Sequence, residues 1–185
     1  MSPQVILVGA NPFVRLFDDG EVTVAASVWI VDWSLRGRGN VLVLWHAGRV
    51  RVIGENPELA AWVSDDFTRH FPEAEGLDWN RGEVENAAVT IDIDLASGMS
   101  VSAADVTIEA SGVLDVRGFA TDSFDLGGRP HGLSLVLAPV AEAQVHIGGK
   151  PVPGTVRREG TPERPSASAF LTAAEVWTGP GTAPA

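Results

Sequence analysis

Along most of this chain apolar and polar residues alternate with a period of two, the spacing of strands that bury one face. The clearest instance lies between residues 41 and 53. If Ala47 and Gly48 form a two-residue turn, His46 faces Arg49, Trp45 faces Val50, Leu44 faces Arg51, Val43 faces Val52 and Leu42 faces Ile53. One face of this hairpin, with Val41, Val43, Trp45, Val50 and Val52, is then wholly apolar. The other grades from Leu42 and Ile53 through Leu44 to Arg51, Arg49 and His46. A shift of one residue would set Arg51 opposite Trp45 and spoil the apolar face, so the pattern selects the first register.

After the hairpin the period changes. Asn56 offers an N-cap, Pro57 suits the first helical position, and Glu58 complements the positive end of a helix dipole. Leu59, Trp62, Val63, Phe67 and Phe71 then recur at helical spacing, with Ser64, Asp65, Thr68 and Arg69 opposite, until Pro72. This predicts one amphipathic helix over residues 56–71. The rest alternates or turns: strands are predicted at 4–10, 13–17, 21–33, 84–95, 101–110, 113–124, 133–137, 143–147 and 169–177. Breaks are predicted at Asp19-Gly20, Ser97-Gly98, Ser111-Gly112, Pro139 and Gly148-Gly149, with residues 159–168 as a charged, proline-rich surface loop.

The fold class that follows is mainly β: an antiparallel β-barrel, or a two-sheet sandwich, with one inserted helix around residues 56–71. The terminal strands are placed to meet and close it. Residues 1–178 are read as a single β-rich domain and 179–185 as a disordered tail. In size, antiparallel strand count and the hairpin at 147–154, the chain resembles lipocalin-like barrels, including the single-barrel relatives of carotenoid hydratases. The marker motifs of those families, a Gly-x-Trp near the first strand and an Asp with Trp-Gly after the hairpin, are missing, so no residue role is carried over.

Composition narrows the chemistry. At 185 residues and 45% hydrophobic the chain can bury a core without staples, and it has no cysteine, hence no disulfide, thiol nucleophile or thiolate metal site. With no tyrosine, phenolic acid–base chemistry is excluded. A net charge of −11 disfavours extended contact with nucleic acid or an anionic membrane surface. No charged-then-apolar leader or membrane-length apolar run occurs, which gives an expectation of a cytoplasmic location. Lys150 is the only lysine among the basic residues, a usage expected of a GC-rich bacterial genome.

Motif readings mostly exclude. Residues 4–10 open like a dinucleotide-binding strand, yet no G-x-G-x-x-G follows Gly9. Gly132-Leu133-Ser134-Leu135-Val136 lacks the closing glycine of a nucleophile elbow. His46, His70, His131 and His146 have no zinc-ligand spacing, so no metal and no cofactor is implied. Asp92 and Asp94 share a strand face and read as solvated rather than as a cation site.

Three polar groups are candidate sites. Asp66 and His70, at i and i+4, form a potential oriented general base, or else a structural pair on a helix edge. His46, Arg49 and Arg51 could hold the carboxylate of an apolar ligand lying along Leu44, or else be a solvated hairpin tip. Asp115 and Arg117 share a predicted strand face with Val113 and Phe119, as a ligand anchor or a structural bridge. Trp29 and Trp33, interleaved with small polar residues on one face of the long third strand, suit a cavity lining.

Two functions follow. The first is a barrel binding a small apolar or aromatic molecule, with cofactor-independent acid–base chemistry as an extension. The second is a non-catalytic interaction module, a homodimer being its simplest assembly. A filled interior favours the module, whereas an open pocket of several hundred Å³ favours the ligand.

Overall fold

The strands that alternation predicts pair in an order the chain does not follow. The structure, a computed structural model, describes residues 2–179. It begins with β1 (Val5–Ala10), β2 (Phe13–Asp18), β3 (Glu21–Ser34), β4 (Gly39–His46) and β5 (Arg49–Gly54), followed by helix α1 (Pro57–Trp62). Then come β6 (Val84–Glu85), β7 (Val89–Asp94), β8 (Gly98–Ala103), β9 (Val106–Val113) and β10 (Arg117–Asp125). The last are β11 (Pro130–Ile147), β12 (Lys150–Pro151), β13 (Arg158–Gly160), β14 (Pro165–Ala167) and β15 (Ala169–Thr178). Of the expected tail, Gly179 is buried and the rest lies outside the described residues.

The main sheet runs β6-β5-β4-β3-β1-β15-β11-β9-β8-β7, antiparallel except where β6 meets β5. The terminal strands do meet, Val5 pairing with Trp177 and Gly9 with Ala174. β1 and β2 lie end to end between the same two neighbours. β3 pairs with β2 through residues 21–27 and with β1 through 30–34, while β15 flanks β2 at Ala169 and Phe170 and β1 farther on. These four strands therefore form a closed antiparallel ring of pairings.

β11 bends the sheet into two layers. Its first half pairs with β15 and β10, its second half with β9 and β12. Pro139, expected to break the strand, instead stands at this change of partners, opposite Phe170, and its carbonyl accepts from Leu114 N at 2.8 Å. A proline is tolerated in a strand where the ladder is interrupted, which is the case at such a bend.

The space between the layers is filled. Val14, Leu16, Val24, Val28, Leu42 and Leu44 from one layer pack against Met99, Val101, Ile108, Val140 and Val145 from the other. The opposite face of the first layer carries a second cluster, Trp29, Val31, Val41, Val43 and Val52, covered by Leu59, Ala60, Val63 and Phe67 of the helical segment. The molecule is thus layered as sheet, sheet, helix.

The central hairpin has the predicted register throughout, from Leu42 with Ile53 to His46 with Arg49. Ala47 and Gly48 both have positive φ, 50° and 73°, as a type I′ turn requires. The helical segment begins as predicted, Asn56 accepting from Leu59 N at 3.1 Å. It does not continue as one α-helix: a π-helical turn, Val63–Phe67, and a 3-10 turn, Thr68–His70, follow.

Candidate functional site

A cavity of about 480 Å³ lies on the helix side of the first layer. Its floor is made by alternate residues of adjacent strands, which all project to one face: Leu7, Asn11 and Phe13, then Phe170, Thr172 and Val176 of β15, then Leu133, Leu135 and Leu137 of β11. Trp29 and Phe67 form one wall, with Phe71 and Phe124 beside them. Trp29 meets Phe67 edge-on at 5.5 Å between centroids and stacks on Phe71 at 6.0 Å, so the aromatic wall is fixed by its own contacts. The short β13–β14 hairpin contributes Glu159, Arg164, Ser166 and Ala167 to the rim. Residues 159–168, expected to be a solvated loop, are part of this rim.

A buried polar relay supports the wall from behind. Trp29 Nε1 donates to Thr68 Oγ1 at 3.1 Å, and the threonine shares its hydrogen between the Val63 carbonyl at 3.0 Å and Ser27 Oγ at 3.2 Å. Asn11 Nδ2 donates to Ser27 Oγ at 3.0 Å and to the Val28 carbonyl at 2.9 Å. Asn11 N donates to Thr172 Oγ1 at 2.8 Å. Asn11 and Thr172 both line the cavity, so the relay joins its floor to the helical wall.

Charged groups gather at the end near the β13–β14 hairpin. Arg117 Nη1 donates to Asp115 Oδ2 at 2.7 Å and to the Pro165 carbonyl at 2.8 Å. The Arg117 hydrogen bond, with that from Val116 N, holds the Asp115 carboxyl below its ordinary value. Arg157 is paired with Glu159 at 2.8 Å and lies 4.0 Å over the Phe17 ring, with Arg15 5.7 Å from the same ring. Arg15 lines the cavity, and among the described residues it has no ion pair and its buried Nε has no hydrogen-bond acceptor. Glu73 lines it too, and burial raises its pKa against the attraction of Arg15.

Of the residues singled out from the sequence, Trp29 and Arg117 line this cavity, and Asp115 stands behind Arg117. The others are elsewhere, each for an identifiable reason. Asp115 lies in the connection between β9 and β10, so it meets Arg117 across the end of a strand and not along one strand face. Trp33 is 48% exposed, on the opposite face from Trp29. The register slips between Val8 and Gly9, leaving Asp32 as an extra residue, and this bulge reverses the alternation after Val31.

Leu44 is buried in the dry core between the layers, which removes the face proposed for a ligand beside His46, Arg49 and Arg51. His46 Nδ1 donates to the Thr23 carbonyl at 2.9 Å, and Arg49 is exposed. Arg51 bridges Glu85 at 2.9 Å and Asp105 at 2.8 Å. Asp94, considered for a cation, caps its own turn by accepting from Ala96 N at 2.8 Å.

The pairing of Asp66 with His70 does not form. Both are exposed and share neither a hydrogen bond nor an ion pair, because the π-helical turn between them changes the angular step on which the i, i+4 argument rests. The His70 ring instead packs against Gly127 in the turn before β11, so closely that a Cβ there would stand 2.9 Å from Cε1.

Sequence reasoning missed Asn11, Arg15, Glu73 and Thr68. The first two were visible as polar residues alternating with Phe13 in phase. Glu73 and Thr68 carry no such signal, since their positions depend on how the helical segment unwinds. Among the described residues, no three His, Asp or Glu side chains converge to hold a metal ion, and no helix is long and apolar enough to cross a membrane. No protein-family model, curated protein or solved structure matches the chain.

Proposed function

We propose that this protein binds a small apolar or aromatic molecule in the cavity between the first sheet layer and the helical segment. The observation that carries the reading is the cavity itself: about 480 Å³, walled by Trp29, Phe67, Phe71 and Phe124, within the usual size of ligand sites. A space this size is far larger than the methyl-scale voids that close packing leaves in protein interiors. The core between the layers is packed while this space is open, so the hollow belongs to the outer face of the sheet and not to a barrel interior. Acid–base chemistry, if the bound compound undergoes any, falls to Glu73, the lining carboxyl that burial keeps protonated to higher pH.

The test is titration with a neutral environment-sensitive dye such as 1-aminoanthracene. Saturable fluorescence enhancement is expected from the natural protein and not from Ala174→Phe, which fills the cavity floor. Equal enhancement from both proteins would remove the reading.

A second reading rests on a different observation. Trp33, 48% exposed, lies on the face of the sheet away from the helix, and β10 pairs on one side only among the described residues. An unpaired edge strand with apolar neighbours is suited to pair with its own copy about a two-fold axis. Light scattering of Trp33→Asp against the natural protein tests it: a dimer lost in the variant supports this interface, and a natural monomer removes it.

A further inference from the structure

We infer that the occupant of the cavity is an apolar carboxylic acid, its carboxylate received by the Arg15 guanidinium beside the Glu73 carboxyl. This rests on the binding reading above and adds the chemistry of the ligand's polar end.

The first argument is the state of Arg15. Its Nε is sealed from solvent and has no acceptor among the described residues, a costly condition for a charged donor group. Among the described residues its guanidinium makes no ion pair, and the half-buried residue lines the cavity. Backbone bonds hold this segment in place: Arg15 N donates to the Ser168 carbonyl at 2.9 Å, and Ser168 Oγ donates to the Arg15 carbonyl at 2.8 Å. A planar guanidinium at the edge of an apolar space is suited to a carboxylate, which it can bind through two parallel hydrogen bonds.

The second argument is the local charge. The chain carries 24 acidic against 13 basic side chains, yet Arg15, Arg117, Arg157 and Arg164 collect at this one end. Asp115 satisfies Arg117 and Glu159 satisfies Arg157. Arg164 is attracted to Asp115 as well, and Arg15 is left with Glu73 among the carboxyls that line the cavity. An anion therefore finds an excess of positive charge here, against the sign of the whole molecule.

The third argument is Glu73. It is attracted to Arg15 through space but forms no ion pair with it, and burial favours its neutral form. In its protonated form this carboxyl can donate to a bound carboxylate. The apolar part of the ligand then lies along Phe13, Phe170 and Leu135 toward Trp29.

The experiment compares decanoate and 2-naphthoate with the neutral decanol and 2-naphthylmethanol, by calorimetric titration of the natural protein and of Arg15→Met. The expected result is that at least one acid binds about tenfold or more tightly than its alcohol, the yield of one charge-assisted contact. Arg15→Met is expected to erase that preference. Arg15→Gln serves the same comparison if circular dichroism shows the methionine variant unfolded. Equal affinity of acids and alcohols in the natural protein overturns this inference and leaves the binding reading standing. An acid preference that survives loss of Arg15 also overturns it. If none of the four compounds binds, both fall.

Discussion

Thr68 is polar, sits opposite the apolar stripe by helical counting, and is fully buried. Its hydroxyl is the acceptor for Trp29 Nε1, so Thr68→Val keeps the shape but leaves a buried indole N–H unpaired. The expected loss is about 1–3 kcal/mol, read by urea unfolding, with a shift in Trp fluorescence because the wall ring loses its anchor. Glu73 gives a prediction in pH. Burial raises its pKa above the ordinary 4.5, so the folded protein holds this proton more tightly than the unfolded chain. Its contribution to stability is complete below the unfolded value and is lost as pH rises through the folded one. Thermal melts of Glu73→Gln should therefore fall less with rising pH over that window than those of the natural protein; parallel curves would refute it. Trp33 shows the limit of counting at this scale. Spacing of four along a strand puts Trp29 and Trp33 on one face, but one extra residue at Asp32 sends Trp33 to the other, and a bulge has no reliable signature in local composition.

At the scale of elements, the hairpin and the start of the helix were legible because their causes are local. Turn chemistry, cap and apolar register are written within a few residues of where they act. Continuation of the helix was not, because the π-helical turn places Phe67 against Trp29 and Trp62 and brings Thr68 beneath the indole, contacts that exist only once the segment lies on the sheet. Leu59, fully buried in that interface, should cost about 2–5 kcal/mol as Leu59→Ala in chemical denaturation. Gly9 tests the bulge between β1 and β3. A Cβ there would overlap the Ile30 carbonyl oxygen, a backbone atom that cannot rotate away. Gly9→Ala is expected to destabilise by about 1–3 kcal/mol, the usual cost of overpacking, and melting near the natural temperature would show that the bulge is soft.

At the scale of the whole molecule, Arg51 ties the layers at their free edges, reaching Glu85 on β6 and Asp105 in the turn between β8 and β9. Hydrogen bonding to Arg51 holds the Asp105 carboxyl below its ordinary value, so its contribution is present above the unfolded pKa and lost as pH falls through the folded one. Because these partners are partly exposed, Arg51→Met should cost no more than about 1 kcal/mol at neutral pH. The difference from the natural protein should shrink in acid and in high salt. The alternation of residues, the turn dipeptides and the Asn-Pro start of the helix determined by themselves that this is a β protein with one helical insertion, because each depends on backbone conformation within a few residues. The ring of pairings around β1 and β2, the passage of β11 from one layer to the other, and the convergence of Asn11, Arg15, Glu73, Arg117 and Trp29 on one cavity were decided by tertiary structure. Those residues come from separate elements, and what brings them together is the burial of two sheet faces at once, a condition set by the whole chain and not by any stretch of it.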